Sequence, residues 1–458
     1  MAEAVRQSGD PGVVAPTQRA RTPAWDLLLA CVAVYIATAV GRAHQLFPVL
    51  LTLKPLFVAA VLAIGLYLLQ QSGQRRVARL RSATTACLLG LLLWSAFSVP
   101  AALNQRVAFQ AWTDFARTVV MFIVVAGSVR SARDVERLSL AYFAVTVLYT
   151  AVVLSRFQLS DGDWRLGQLY YYDGNDLATL IATAMPLGLY FVLAQRRPLL
   201  RVLAVAGLVV LAVGLIRSGS RGGFLAFLGV TAFVLLGFTT VPARARLAGL
   251  VAILAVAAAS ASDQYWTQMQ TIVHPNQDYN TTSEAGRVKI WTRGLGYMAG
   301  RPVLGVGISN FQVAEGTISP LARLQERGIG VRWGAAHNVF IQVGAELGLP
   351  GLILFVAWIA SAFLALRRLA RQPRKGSDSA TDAPRLAQSL MAALVGFVVG
   401  GCFLSLAYSD MLYTLAALAV GLQKVSRPLG TPHVRAARRT LVDQRSHRAS
   451  RGPGWSAP

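Results

Sequence analysis

Long continuous blocks of apolar residues constrain the fold of this chain more than any other feature. A block of roughly 20 apolar residues can cross a bilayer as a helix, whereas a soluble amphipathic helix repeats its apolar residues at helical intervals. Only 14% of the 458 residues are charged, compared with roughly a quarter in soluble domains. These properties exclude a soluble enzyme, a secreted disulfide scaffold and a disordered chain.

The blocks predict an all-α polytopic membrane protein with about twelve transmembrane helices and one large helical extracytoplasmic loop. The three cysteines all fall inside predicted spans, so we interpret them as small packing residues rather than disulfide or metal ligands. The predicted spans are 25–41, 47–69, 85–103, 111–129, 138–155, 175–195, 199–216, 222–241, 247–262, 349–366, 387–405 and 411–423.

The net charge of +24 is typical of nucleic-acid binding, but the positions of the cations indicate membrane topology instead. Short connections on one side of the predicted spans hold 21 Lys and Arg, and those on the other side hold 6. Cations are enriched on the cytoplasmic side, so both termini are predicted to be cytoplasmic. The resulting division is a tail at 1–24, nine helices in 25–262, a periplasmic loop at 263–336, a His-motif helix with three spans in 337–423, and a basic tail at 424–458.

The large loop carries cations on the side of the membrane where cations are normally scarce. A net positive segment beside the bilayer favours an anionic ligand such as phosphate, and the alternative is a solvated helix face. Within it, Glu284–Arg293 is predicted to form an amphipathic helix with Arg287 and Trp291 on one face. The loop cations are Arg287, Lys289, Arg293, Arg301, Arg323, Arg327 and Arg332.

Two further ionisable residues lie at predicted membrane boundaries. His337 stands where the polar segment re-enters the membrane, and a neutral imidazole there can accept a proton from a sugar hydroxyl. Its alternative role is to cap the following helix. Arg221 lies in the glycine-rich turn Ser218–Gly223, and its guanidinium suits phosphate, although an arginine that snorkels at a span end would look the same.

Taken together, these motifs resemble the O-antigen ligase and O-antigen polymerase superfamily of bacterial membrane glycosyltransferases. The resemblance is specific over about 175–366 and includes the long loop before the His motif. Its motifs are Ser220-Arg221-Gly222-Gly223, Arg287 to Trp291, Pro302-x-x-Gly305-x-Gly307 with Asn310-Phe311, and His337-Asn338 with Glu346-Leu347-Gly348 and Gly351.

The resemblance implies a GT-C-like fold and transfer of a glycan from an undecaprenyl-diphosphate carrier at the periplasmic face of the inner membrane. The acceptor would be lipid A-core or another glycan. Membrane lipid would surround the protein. The reaction would need no metal, cofactor or nucleic acid. Carried over by position, Arg221 and Arg287 would hold the pyrophosphate and His337 would be the catalytic base. Possible accessory residues are Lys289, Arg293, Trp291, Asn338, Arg165 and Asn175.

Three other functions remain open at this point. A polymerase would use a second lipid-linked glycan as acceptor, and a protein O-oligosaccharyltransferase would use Ser or Thr; both share the donor chemistry of the ligase. A lipid-glycan transporter could also have twelve spans, but it would typically show an internal repeat with paired broken helices. The loop and the His-Asn motif favour the ligase, and polar clusters confined to one face favour an enzyme.

Overall fold

The structure is a computed structural model, and it describes the chain between residues 24 and 427 with several gaps. Most of both predicted cytoplasmic tails, and parts of the polar segments before residue 172 and around 284, lie outside the described residues. The described residues are 24–71, 73–156, 165–166, 172–194, 197–274, 276, 278–283, 286–325, 327–328, 330, 333–372 and 382–427.

All regular secondary structure in these ranges is helical. Many helices begin at a Ser, Asp or Asn side chain that accepts a hydrogen bond from a backbone N–H of the first turn, as at Asp26, Ser82 and Ser409. The first ten α-helices are α1 Leu27–Ala39, α2 Pro48–Leu53, α3 Pro55–Leu69, α4 Ala83–Ser98, α5 Gln105–Ser128, α6 Ala132–Arg156, α7 Gly174–Ala194, α8 Pro198–Arg217, α9 Arg221–Gly237 and α10 Ala243–Ser260. The others are α11 Asp263–Gln270, α12 Tyr279–Thr282, α13 Arg287–Gly300, α14 Phe311–Thr317, α15 Ala322–Gln325, α16 Val339–Ala370, α17 Ala383–Gly401 and α18 Asp410–Ser426.

Seven helical segments of the described chain are long and apolar enough to cross a membrane. Helices α1, α4 and α9 are apolar but shorter. The chain is therefore an all-helical, multi-pass membrane protein, while the total of twelve spans stays a prediction. The seven segments are Val49–Leu69, Gln105–Ser128, Ala132–Arg156, Gly174–Ala194, Pro198–Arg217, Val339–Ala370 and Ala383–Gly401.

Every predicted span coincides with helix, but two of them differ in form. The block 47–69 is broken at Lys54, whose φ of 45° separates α2 from α3. Pro55 follows, and the residue before a proline is displaced from the helical conformation. The block 349–366 belongs to a longer helix, because α16 already begins at Val339.

The predicted amphipathic helix also starts later than expected. Described helix begins at Arg287 rather than Glu284, which lies outside the described residues, and it continues to Gly300. Between α10 and α16 the chain forms the short helices α11 to α15.

Helix α7 lies at the centre of the bundle and is buried along most of its length. Helix α17 packs closely against α7 at Gly396 and Gly400. A side chain at Gly396 would meet the backbone oxygen of Ala182 at 3.0 Å, and one at Gly400 would meet the side chain of Thr179 at 2.5 Å. The absence of a Cβ lets α7 and α17 approach closely.

Helix α16 is interrupted at Gly348, which has a φ of 70°. Pro350 has no N–H to donate to the carbonyl of Glu346, and the segment Pro302–Asn310 supplies the missing partners. The N–H of Gly307 donates to Glu346 O at 2.9 Å, that of Val306 donates to Ala345 O at 2.9 Å, and that of Leu349 donates outward to Pro302 O at 2.8 Å.

The glycines of this segment are required by that contact. Gly305 and Gly307 have φ values of 65° and 101°. A Cβ at Gly305 would lie 2.4 Å from the carbonyl carbon of Glu346, and one at Gly348 would lie 2.2 Å from the oxygen of Val303. The glycine pattern therefore builds a tight turn against a broken membrane helix.

A reporter that is active only outside the cytoplasm should be active when fused near Gln325 and silent when fused near Ser377. The reason is the excess of Lys and Arg on the opposite side of the spans. Reporter activity in whole cells, with fusion expression checked by immunoblot, measures this. The reverse pattern would overturn the orientation.

Candidate functional site

Arg221 is the first residue of α9, directly after the N-cap Ser220, whose side chain accepts from the N–H of Gly223. Its guanidinium lies 2.8 Å from the carboxylate of Asp278 and also donates to the hydroxyl of Thr271. The Arg221 side chain is 18% exposed. An arginine at the N-terminus of a helix adds its charge to the positive end of the helix dipole, which favours an anion.

Arg287 is the first residue of α13, whose N-cap Gly286 provides no side-chain hydrogen bond. Burial lowers the pKa of Arg287, and the charge of Arg221 lowers it further, while Asp173 and Asp278 act in the opposite direction. The charges of the two arginines therefore act on each other, and their joint binding of one anion stays a prediction. Within the described chain the half-buried guanidinium of Arg287 has no hydrogen-bond or ion-pair partner.

Arg165 adds a third cation, because its charge also lowers the pKa of Arg287. The residue after it, Leu166, donates its N–H to the oxygen of Arg217 at 2.8 Å, which fixes this segment beside the turn between α8 and α9. Helix α7 begins beside the same turn between α8 and α9, because a Cβ at Gly174 would lie 3.0 Å from the backbone oxygen of Ser218. The N-termini of α7, α9 and α13 thus gather around three arginines.

His337 precedes the N-cap of α16 and has a left-handed backbone, with a φ of 48°. Its N–H donates to the hydroxyl of Ser405 at 2.7 Å. The capping role belongs to Asn338, whose side chain accepts from the N–H groups of Phe340 and Ile341. The alternative interpretation of His337 as a helix cap is therefore wrong, and its positive φ is the kind of backbone strain that gathers at functional sites.

Trp291 connects the histidine to the arginines. It lies one helical turn after Arg287, and its indole N–H donates to the oxygen of Ala336, the neighbour of His337, at 3.0 Å. Its ring lies 6.4 Å from the ring of Phe403. A Cβ at Gly222, next to Arg221, would lie 2.9 Å from the Cβ of Phe403. The three predicted site residues therefore share one end of the bundle, and whether they line one cavity stays a prediction.

Arg293 has a different position from the one expected of a ligand-binding residue. Its guanidinium forms a two-pronged ion pair with Glu315, at 2.9 and 2.6 Å, and Tyr297 donates its hydroxyl to the same carboxylate at 2.6 Å. Glu315 is 1% exposed. The guanidinium of Arg293 already binds the buried carboxylate of Glu315 with two parallel hydrogen bonds. We therefore assign Arg293 a structural role that joins α13 to α14.

The remaining accessory residues lie at the margins of the site. Lys289 is exposed on α13. Asn175 belongs to the first turn of α7, where its N–H donates to the carboxylate of Asp173 at 2.7 Å. Glu346 is buried and accepts a hydrogen bond from the hydroxyl of Tyr408 at 2.9 Å. Glu346 therefore serves as a hydrogen-bonding residue of the buried interior.

Replacing Arg293 by Ala should loosen the segment between α10 and α16. It leaves the Glu315 carboxylate buried without a counter-ion, which typically costs about 3–5 kcal/mol. Faster limited proteolysis of this segment and a lower unfolding temperature would measure the effect. Arg323→Ala is the matched control, since Arg323 is exposed on α15. Equal behaviour of the two variants would contradict the structural role.

Sequence reasoning did not single out Asp173 or Asp278 as members of the site. Both carboxylates lie beside the arginines, yet each is far from its partner in the sequence. Motifs and short residue spacings do not reveal pairs whose members are distant in the sequence. Ser405 and Phe403 were missed for the same reason, because they reach the site from the end of α17.

Residues 206–356 match the model of the O-antigen ligase family. The matched region runs from α8 into α16 and contains Arg221, Arg287 and His337. The match confirms the predicted resemblance over these residues, which are similar to the O-antigen ligase family. The family indicates a membrane glycosyltransferase of the ligase or polymerase type. No curated protein matches the chain.

Proposed function

We propose, from the match of residues 206–356 to the O-antigen ligase family, that this protein transfers a glycan from undecaprenyl diphosphate to an acceptor hydroxyl at the periplasmic face of the inner membrane. The acceptor that the family motifs favour is lipid A-core, which makes the reaction O-antigen ligation. The observation that carries the proposal is the half-buried guanidinium of Arg287, without a partner in the described chain and close to Arg221 and Arg165.

A diphosphate is the anion that suits such a group of cations. Guanidinium forks bind phosphate oxygens in pairs, and the N-termini of α9 and α13 add positive dipole ends. The same donors would stabilise the charge that develops on the leaving group as the sugar–phosphate bond breaks. The arginine side chains can therefore neutralise the charge on the leaving diphosphate, a role that a metal ion fills in other enzymes.

His337 would act as general base in a single displacement. The acceptor oxygen attacks the anomeric carbon, its proton passes to the imidazole, and undecaprenyl diphosphate leaves from the opposite side of the sugar. Attack opposite the leaving group inverts the anomeric centre. Asn338 and Ser405 hold the backbone on either side of the base, since Asn338 caps α16 and Ser405 accepts the N–H of His337.

The experiment is glycan transfer by the purified full-length protein in lipid nanodiscs, with lipid-linked glycan as donor. Three reactions run in parallel, with lipid A-core, with excess lipid-linked glycan alone, and with a Ser/Thr-containing acceptor protein. Product on lipid A-core supports ligation. Chain elongation in the second reaction would make the protein a polymerase, and absence of transfer in all three would overturn the proposal.

A further inference from the structure

Arg221 already forms an ion pair with a carboxylate of the protein, that of Asp278. The Oδ2 atom of Asp278 lies 2.8 Å from its Nη1 atom, and the two side chains are 16% and 18% exposed. The pair is mostly buried, but both side chains keep part of their surface open to solvent.

Asp278 is held in place by its own segment. Its Oδ1 atom accepts from the backbone and side-chain nitrogens of Asn280, each at 3.1 Å. Burial alone would raise the pKa of Asp278, but the hydrogen bonds from Asn280 and Arg221 keep it below the ordinary value. The carboxyl is therefore ionised at neutral pH and presents a negative charge to Arg221.

The segment that carries Asp278 also reaches the second arginine. Asp278 directly precedes α12, and a Cβ at Gly286 would lie 2.6 Å from the oxygen of Asn280. The turn of α12 thus packs against the start of α13, where Arg287 lies. This arrangement explains why the charge of Asp278 acts on Arg287 as well as on Arg221.

We infer that Asp278 is an intramolecular competitor of the donor diphosphate for Arg221, and so sets the affinity of the site for the donor and for the released undecaprenyl diphosphate. The inference rests on the proposed function. A single carboxylate faces one arginine, whereas a diphosphate carries more charge and can engage Arg221 and Arg287 together. The donor therefore displaces Asp278, and Asp278 returns to Arg221 when the product leaves.

The test compares donor kinetics of Asp278→Asn with wild type. The amide oxygen of Asn can still accept from Asn280, so the segment keeps its local structure, but the charge that competes for Arg221 is gone. Exposed or partly exposed ion pairs contribute little, so we expect the KM for the donor to fall about threefold to tenfold. The concentration of inorganic pyrophosphate that halves the rate should fall by a similar factor.

Matched variants separate charge from packing. Asp278→Ser also removes the charge while keeping an oxygen, so it should reproduce the result, and Asp278→Glu should stay close to wild type. Asp263→Asn removes an exposed carboxylate from the start of α11 and should change neither value. An unchanged or raised donor KM in both uncharged Asp278 variants would overturn the inference and make Asp278 a support for Arg221.

The same measurements distinguish failure of the proposed diphosphate site from failure of the proposed competition by Asp278. If pyrophosphate does not inhibit the wild-type protein and Arg221→Gln leaves donor kinetics unchanged, the proposed diphosphate site itself is wrong. If both of those behave as expected and the uncharged Asp278 variants do not tighten binding, only the competition is wrong.

Discussion

His337→Gln should lower the rate of glycan transfer about 10²- to 10⁴-fold, the range that general-base catalysis contributes. Glutamine fills a similar space and can still form hydrogen bonds, but it cannot accept the proton of the acceptor hydroxyl. Donor binding should persist, because Arg221 and Arg287 belong to other helices. The measurement is single-turnover transfer from purified lipid-linked donor, with a chelator present throughout.

His274→Gln is the matched control for this substitution. His274 is exposed and lies in the segment between α11 and α12, so its replacement should leave transfer unchanged. Full activity of His337→Gln would reduce His337 to a positioning residue. Activity that is lost with chelator and restored by a divalent cation would instead indicate a metal-dependent reaction.

Arg221→Lys and Arg287→Lys should each lower kcat/KM for the donor about tenfold to a hundredfold. Lysine keeps the positive charge but loses the planar fork that binds phosphate oxygens in pairs, and hydrogen bonds to charged groups contribute about 1.5–3 kcal/mol. Membrane insertion should be unaffected. Titration of the lipid-linked donor at saturating acceptor measures the change.

Arg301→Lys provides the comparison for Arg287, because Arg301 is exposed at the other end of α13. It should behave as wild type. Normal donor use by both Arg221→Lys and Arg287→Lys would contradict binding of the diphosphate through paired guanidinium hydrogen bonds.

The helices could be predicted from sequence because long apolar blocks leave few alternatives in a bilayer. The break at Lys54 could also have been expected from Pro55. The interruption of α16 could not be located so easily. Pro350 signals a missing donor, but only the fold shows that Val306 and Gly307 supply the replacement N–H groups.

Roles within the polar loop depend on pairs that are distant in sequence. Arg287 and Arg293 stand on the same helix and look equivalent in the sequence, yet Arg293 is bound to Glu315 and Arg287 has no such partner among the described residues. Asparagine is favoured at the N-cap, so Asn338 could have been recognised as the cap of α16, a role that the sequence analysis offered to His337 instead. The roles of Asp278 and Ser405 depend on tertiary contacts that no local pattern contains.

The hydrogen bonds between the segment Pro302–Asn310 and the break in α16 at Gly348 have a mechanical consequence. Pro302 and Val303 lie against the break in α16, and α13 ends just before them at Gly300, so α13 is fastened to the membrane helix that follows His337. A tilt of α16 in the bilayer should therefore move Arg287 and His337 together, because α13 and the residue before the N-cap of α16 are both joined to that helix. Arg221 stands on a different helix, α9, and is joined to α13 through its ion pair with Asp278. The ion pair between Arg221 and Asp278 is therefore the contact that should resist a change in the spacing of Arg221 and Arg287 when α16 tilts.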